Sequence, residues 1–175
     1  IVGSDTICIG ATTTFTPTTG GEWASSNNLV ATVTNAGVVT SHATGRARFA
    51  FIESATGCLS DSLTVDVTVQ PTASLVGNNS ICVLTTTQLN PQTGGTWASS
   101  NNAIATVSNS GLVTGLTPGS ATFVWTQTST GCTSNSVGPI IVNPRPTVTL
   151  NPKTICIGSF DTLSSFGAIG TWVSN

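Results

Sequence analysis

Tyrosine and methionine are absent from the 175 residues, histidine occurs once, and only four Lys or Arg and six Asp or Glu are present, for a formal charge of −2. The charged share is 6%, against roughly 25% in ordinary soluble domains. Four basic residues cannot build the electrostatic footprint of a nucleic-acid binder. One His and six scattered acids leave little material for a metal centre or for acid–base catalysis. No apolar run approaches the roughly 18 residues of a membrane span. The positive mean hydropathy, +0.28, therefore reflects small apolar residues and few charges. Ile1 is not an initiator Met and no signal-peptide pattern opens the chain, so the sequence reads as part of something longer.

What is abundant is hydroxyl: 33 Thr and 21 Ser, near 31% of the chain. Self-similarity is the dominant signal. ICIGATTTFTP (7–17) returns as ICVLTTTQLNP (81–91), and ICIG again at 155–158. GGEWASSNNLVATVTNAG (20–37) returns as GGTWASSNNAIATVSNSG (94–111), identical at 13 of 18 positions. Cys8, Cys82 and Cys156 are spaced 74 and 74, and Trp23 to Trp97 and Cys58 to Cys132 share that interval. These spacings divide the chain into repeats at 1–74 and 75–148, with the first part of a third at 149–175.

Within a repeat the apolar period is 2, as in ATVTN (31–35), RFAFI (48–52), LTVDVTV (63–69) and ATFVWTQT (121–128). These runs are rich in residues that suit a pleated, half-buried surface. Turn signals recur at short intervals, at Thr19-Gly20-Gly21, Asn35-Ala36-Gly37, Thr44-Gly45, Thr56-Gly57 and Gln70-Pro71. The spacing predicts an all-β chain with one sandwich of about seven strands per repeat. Trp23, Trp97, Trp125 and Trp172 read as core aromatics, with Trp125 aligned to Phe51. Proline in the segments from Gln70-Pro71 to about Asn79 and at Asn143-Pro144-Arg145-Pro146 predicts short, extended, semi-rigid linkers.

Units this small bury proportionally little surface, and the cysteines answer that problem. Cys8 to Cys58 and Cys82 to Cys132 span 50 positions each, which predicts one disulfide inside each repeat, with the partner of Cys156 beyond residue 175. Closing such a loop is worth roughly 4 kcal/mol on the chain-entropy model. Five buried free thiols are the competing reading. Disulfides imply export to an oxidising compartment.

The run G-x-W-A-S-S-N-N-x-x-A-T-V-x-N-x-G-x-V-T, at Gly21 to Thr40 with Gly45 and at Gly95 to Thr114 with Gly119, resembles the bacterial Ig-like domain, group 2. The resemblance implies tandem Ig-like β-sandwiches. The Thr-rich style and the Val-Asn-Pro linker (142–144) resemble long, exported surface proteins of Bacteroidota, in which such domains form adhesin stalks. That implies an extracellular, cell-surface location and neighbouring repeats of the same chain, or other copies in a fibre, as partners. The cysteine pair departs from many members of the family.

Chemistry has few candidates. His42 is replaced by Leu116 in the sister repeat, and Arg46 and Arg48 by Ser120 and Thr122, so the arginines read as solvated charges that discourage edge pairing. Glu22, Glu53 and Asp66 have no charged partner at short spacing. No catalytic or metal motif occurs, and no enzyme activity or cofactor is expected. Calcium bridging between domains would need clustered oxygen ligands that six scattered acids do not supply. Asp5-Thr6-Ile7, Asp61-Ser62-Leu63 and Asp161-Thr162-Leu163 resemble the Bacteroidota O-glycosylation motif, which makes Thr6, Ser62 and Thr162 candidate acceptors. Asn78-Asn79-Ser80 is a formal N-glycosylation sequon. The leading functional expectation is a stalk or fibre segment without catalysis. The alternatives are a carbohydrate- or surface-binding module using exposed Trp, Thr and Asn, and a polymer subunit in which residues 151–175 complete a neighbour's sandwich.

Overall fold

The computed structural model describes residues 5–147 and 154–160; Trp172, Thr162 and most of the third repeat lie outside the described residues. The period-2 runs form strands and the Gly-containing breaks form turns, with no helix among the described residues. In the first repeat β1 (Thr6–Cys8), β7 (Leu63–Thr68), β6 (Gly45–Glu53) and β3 (Gly21–Ser25) make one sheet, in that spatial order. The facing sheet is β2 (Thr12–Thr14), β5 (Val38–Ser41) and β4 (Ala31–Val33). The second repeat copies both. Its β9 (Ser80–Cys82), β15 (Val137–Asn143), β14 (Gly119–Gln127) and β11 (Gly95–Ser99) form the first sheet. Its β12 (Ala105–Val107), β13 (Leu112–Gly115) and β10 (Thr86–Asn90) form the second, to which β8 (Ser74–Leu75) adds an edge. That edge strand takes part of what the sequence reads as linker into the second sandwich. Only residues 69–73 remain between β7 and β8.

Pairing is antiparallel except at one place in each repeat. β1 runs parallel to β7, Thr6 opposite Asp66 and Cys8 opposite Thr68. β9 runs parallel to β15, Ser80 opposite Ile141 and Cys82 opposite Asn143.

Each sandwich closes on aromatic rings. Phe15 packs on Trp23 and Phe49 with ring centroids 5.6 and 5.4 Å apart, and Trp23 on Phe51 at 5.3 Å. In the second repeat Leu89 and Trp125 stand where Phe15 and Phe51 stand in the first, one position smaller and one larger. Such volume-compensated exchange is what a close-packed core tolerates best. Trp23 and Trp97 each donate their indole N–H to a proline carbonyl, Pro17 and Pro91, at 2.9 Å.

The most repetitive segment of the sequence, Trp-Ala-Ser-Ser-Asn-Asn, is turn chemistry. Ser25 Oγ donates to the Ala31 carbonyl at 2.7 Å and accepts from Asn27 N–H, and Asn27 Oδ1 accepts from Leu29 N–H. Ser99, Asn101, Ala103 and Ala105 repeat the same bonds. Ser26 and Ser100 accept from the backbone of the neighbouring long strand, at Arg48 and Thr122. Short polar side chains thus satisfy loop backbone groups that no ladder reaches. At the next hairpin Gly37 and Gly111 both take φ of +77°, and a Cβ there would collide with the carbonyl of Phe15 or Leu89.

The two indoles of the second repeat make a paired test. Trp125 Nε1 is buried without a hydrogen-bond partner, so Trp125→Phe, the residue of the sister repeat, loses no hydrogen bond but opens the volume that the smaller Leu89 leaves, and should cost about 1–3 kcal/mol that Leu89→Phe in the same chain recovers in part. Trp97→Phe orphans the Pro91 carbonyl and should cost about 1–3 kcal/mol. Chemical denaturation of the two variants checks both.

Candidate functional site at the joint between repeats

The sulfur chemistry of the chain lies between the repeats. Cys8 is bonded to Cys132, with Cα atoms 5.6 Å apart across a sequence separation of 124, while Cys58, Cys82 and Cys156 are free and exposed. The expected Cys8–Cys58 and Cys82–Cys132 pairs are therefore not formed, and the strand geometry explains why. Parallel pairing sets Cys8 beside Thr68, the last residue of β7, whereas Cys58 precedes the first residue of that strand by five positions. β7 alone separates its ends by roughly 16 Å, well beyond the about 7 Å that a disulfide spans between Cα atoms. Cys82, beside Asn143 at the end of β15, is separated from Cys132 in the same way. The early cysteine of a repeat thus sits at its exit end and the late cysteine at its entry end. The bond that forms joins the exit end of one sandwich to the entry end of the next.

The joint has other contacts. Thr68 Oγ1 lies 3.2 Å from Cys132 Sγ. An open groove of about 570 Å³ runs across it, lined by Thr6, Arg46, Asp66 and Thr68 of the first repeat and by Ser129 and Thr130 of the second. Arg46 and Asp66 face each other on β6 and β7, joined by two hydrogen bonds, Nε to Oδ1 at 2.7 Å and a second guanidinium nitrogen to Oδ2 at 3.1 Å. β6 is an interior strand, so Arg46 does not guard an edge, and Asp66 does have a charged partner. The two lie 20 positions apart in sequence and meet only through strand register. That hydrogen bond holds the Asp66 carboxyl below the usual carboxylate range and raises Arg46.

The remaining candidates are dispersed. His42 Nε2 contacts Thr32 Oγ1 at 2.9 Å on an exposed surface. Glu53 accepts from Thr56 in the turn that carries Cys58. Among the described residues no three His, Cys, Asp or Glu side chains cluster as a metal site, and no helix is long and apolar enough to cross a membrane. Thr6 is partly buried beside the joint groove, Ser62 is exposed ahead of β7, and Thr162 lies outside the described residues. Trp23, Trp97 and Trp125 are at most 7% exposed; every aromatic ring within the two sandwiches is buried, which leaves no stacking platform there.

The model of the bacterial Ig-like domain (group 2) matches residues 7–57 and 62–134. No curated protein matches the sequence. Among solved structures, a C-terminal 282-residue fragment of intimin, in complex with the intimin-binding domain of its translocated receptor, is similar at 15% identity and a TM-score of 0.40, over 73% of this chain and 56% of that one. Domains 4 and 5 of the S-layer protein SbsC are similar at 20% identity and a TM-score of 0.31, over 71% and 70%. The fibronectin(III)-like modules of Clostridium thermocellum CbhA give 15% identity and a TM-score of 0.37, over 82% and 91%. The chain spans about half the length of the intimin fragment and 21% of a longer SbsC fragment, residues 31–844.

Two measurements follow from the joint. Alkylation without reductant should label Cys58, Cys82 and Cys156 and spare Cys8 and Cys132, and Cys132→Ser should make Cys8 reactive. Asp66 has its carboxyl stabilised in the charged form, so its pairing with Arg46 is complete above the ordinary carboxylate pKa and lost as pH falls through the lowered one. An NMR titration should show the Asp66 midpoint rising in Arg46→Ala.

Proposed function

The chain belongs to the bacterial Ig-like domain (group 2) family, and from that premise we propose that it is a stalk or fibre segment of an extracellular bacterial surface adhesin or filament, with its repeats as mutual partners and no catalysis of its own. The observation that carries the reading is the covalent bond between consecutive sandwiches. A bond inside a domain stabilises that domain; a bond across a joint transmits load and fixes one unit against the next. An oxidising, extracellular compartment is where such a bond persists. The inward-facing tryptophans and the absence of clustered titratable groups among the described residues support a scaffold over a carbohydrate-binding face or an enzyme. The boundaries 1–74, 75–148 and 149–175 belong to this reading as units of one array. Glycans on Thr6, Ser62 and Thr162 would solvate a surface that has little charge.

Pulling a single chain from its two termini tests it. The bond withholds the residues between Cys8 and Cys132 from extension, so roughly 400 Å of contour length should appear only after reductant is added. Full extension of the oxidised chain at low force overturns a load-bearing role.

A further inference from the structure

We propose that Cys58 and Cys82 are open halves of the same staple: Cys82 bonds the late cysteine of the following repeat, and Cys58 the early cysteine of a preceding one. Every joint of the array then carries one disulfide. The inference rests on reading the chain as part of a longer tandem array and adds how its joints are closed. The bonded pair is an early cysteine with the late cysteine of the next repeat, separated by one period of 74 plus 50. Cys82 is the early cysteine of the second repeat, and Cys58 the late cysteine of the first.

Both free thiols are presented as the bonded ones are. The turn before Cys132 is held by Gly131 N–H to the Gln127 carbonyl and Gln127 N–H to the Cys132 carbonyl, each 2.8 Å; Glu53, Gly57 and Cys58 repeat it at 2.8 and 3.0 Å. The Cys8 carbonyl accepts from Ala11 N–H at 3.0 Å, and the Cys82 carbonyl from Thr85 N–H at 3.0 Å. What differs is cover. Cys132 is fully buried and Cys8 partly buried, each against the other repeat, while Cys58 and Cys82 are exposed at the two outer ends. These two ends face away from one another, so the thiols cannot reach each other within one chain.

The exit end of the second repeat is also apolar in a way that only a neighbour would relieve. Leu84, two residues after Cys82, is 66% exposed and holds φ of +68° at the position of Gly10 in the first repeat. Left-handed backbone costs a residue with a Cβ roughly 1–2 kcal/mol. Ile141, 45% exposed, stands where Asp66 stands in the first repeat. The joint that pairs Asp66 with Arg46 in the first repeat is thus an apolar one after the second. The occupant it fits is another repeat of this chain.

Each bond forms from two thiols, which release two protons and two electrons; the electrons reduce an external disulfide such as glutathione disulfide to two thiols. The test is a chain of residues 1–148 followed by a second copy of 75–148, with C82S in the added copy, oxidised in a glutathione buffer, alkylated and mapped without reduction. The expected map has Cys8 joined to Cys132, Cys82 joined to the late cysteine of the added copy, and Cys58 alone alkylated. The Cys8–Cys132 bond reports that the chain has folded. If that bond is present while Cys82 is alkylated, the inference fails and the first joint stands. If Cys82 is joined to Cys58 of another molecule, seen as covalent oligomers on a non-reducing gel, the staple links copies rather than repeats and the inference also fails. Cys8 joined to Cys58 would overturn the joint bond and the inference together.

Discussion

Parallel pairing of the first strand with the last strand of each sandwich decides where everything else falls. An antiparallel β1 would carry Cys8 to the end of β7 where Cys58 lies, and a bond within the repeat would be in reach. Running parallel, β1 delivers Cys8 to the end of the sheet from which the chain leaves, and the only cysteine that meets it there comes from the following unit. The same direction places Thr68 against Cys132 and brings the Ser129-Thr130 turn to the groove beside Arg46 and Asp66. The short linker of residues 69–73 is a consequence too, since the next sandwich begins at the end where the last one finished.

The energetic role of the sulfur bond changes with its position. A loop of 124 residues is worth roughly 5 kcal/mol on the chain-entropy model, slightly more than a loop of 50. That entropy is shared by two folding units, so neither sandwich receives it as its own reserve. Each must stand on its own core: the ring cluster of Phe15, Trp23, Phe49 and Phe51 in the first and the Leu89, Trp97, Phe123 and Trp125 set in the second. Serine and asparagine side chains take over backbone satisfaction in the loops, which is why a sequence with so few charges can still afford exposed, irregular segments.

Much of this was legible in the residues. The period-2 runs gave the strands, and the Asn-Ala-Gly and Thr-Gly-Cys breaks mark turns whose hydrogen bonds recur in both copies. The disulfide was not legible, for a definite reason. In a strict tandem array, an interval of 50 and an interval of 50 plus one period describe the same two sequence positions in successive units. Spacing alone therefore cannot separate a bond within a repeat from a bond to the next one; the direction of β1 can, and a three-residue strand carries no signal of its direction. The Arg46–Asp66 pair was hidden similarly, because partners 20 residues apart meet only once the register of β6 on β7 is known. The role of Ser25, Ser26 and Asn27 was hidden by their very repetition, which drew attention to them as a motif when their partners are all backbone groups in their own loops and the adjacent strand.

The closed ring of chain between Cys8 and Cys132 has a consequence for resistance to proteolysis. A protease that cuts any single peptide bond inside that ring leaves two fragments still tied through sulfur, so the severed backbone does not part the molecule. A second cut inside the ring frees only the stretch between the two cuts, and the two ends of the chain part only through a cut outside the ring or a reductant able to reach a sulfur that the neighbouring sandwich covers.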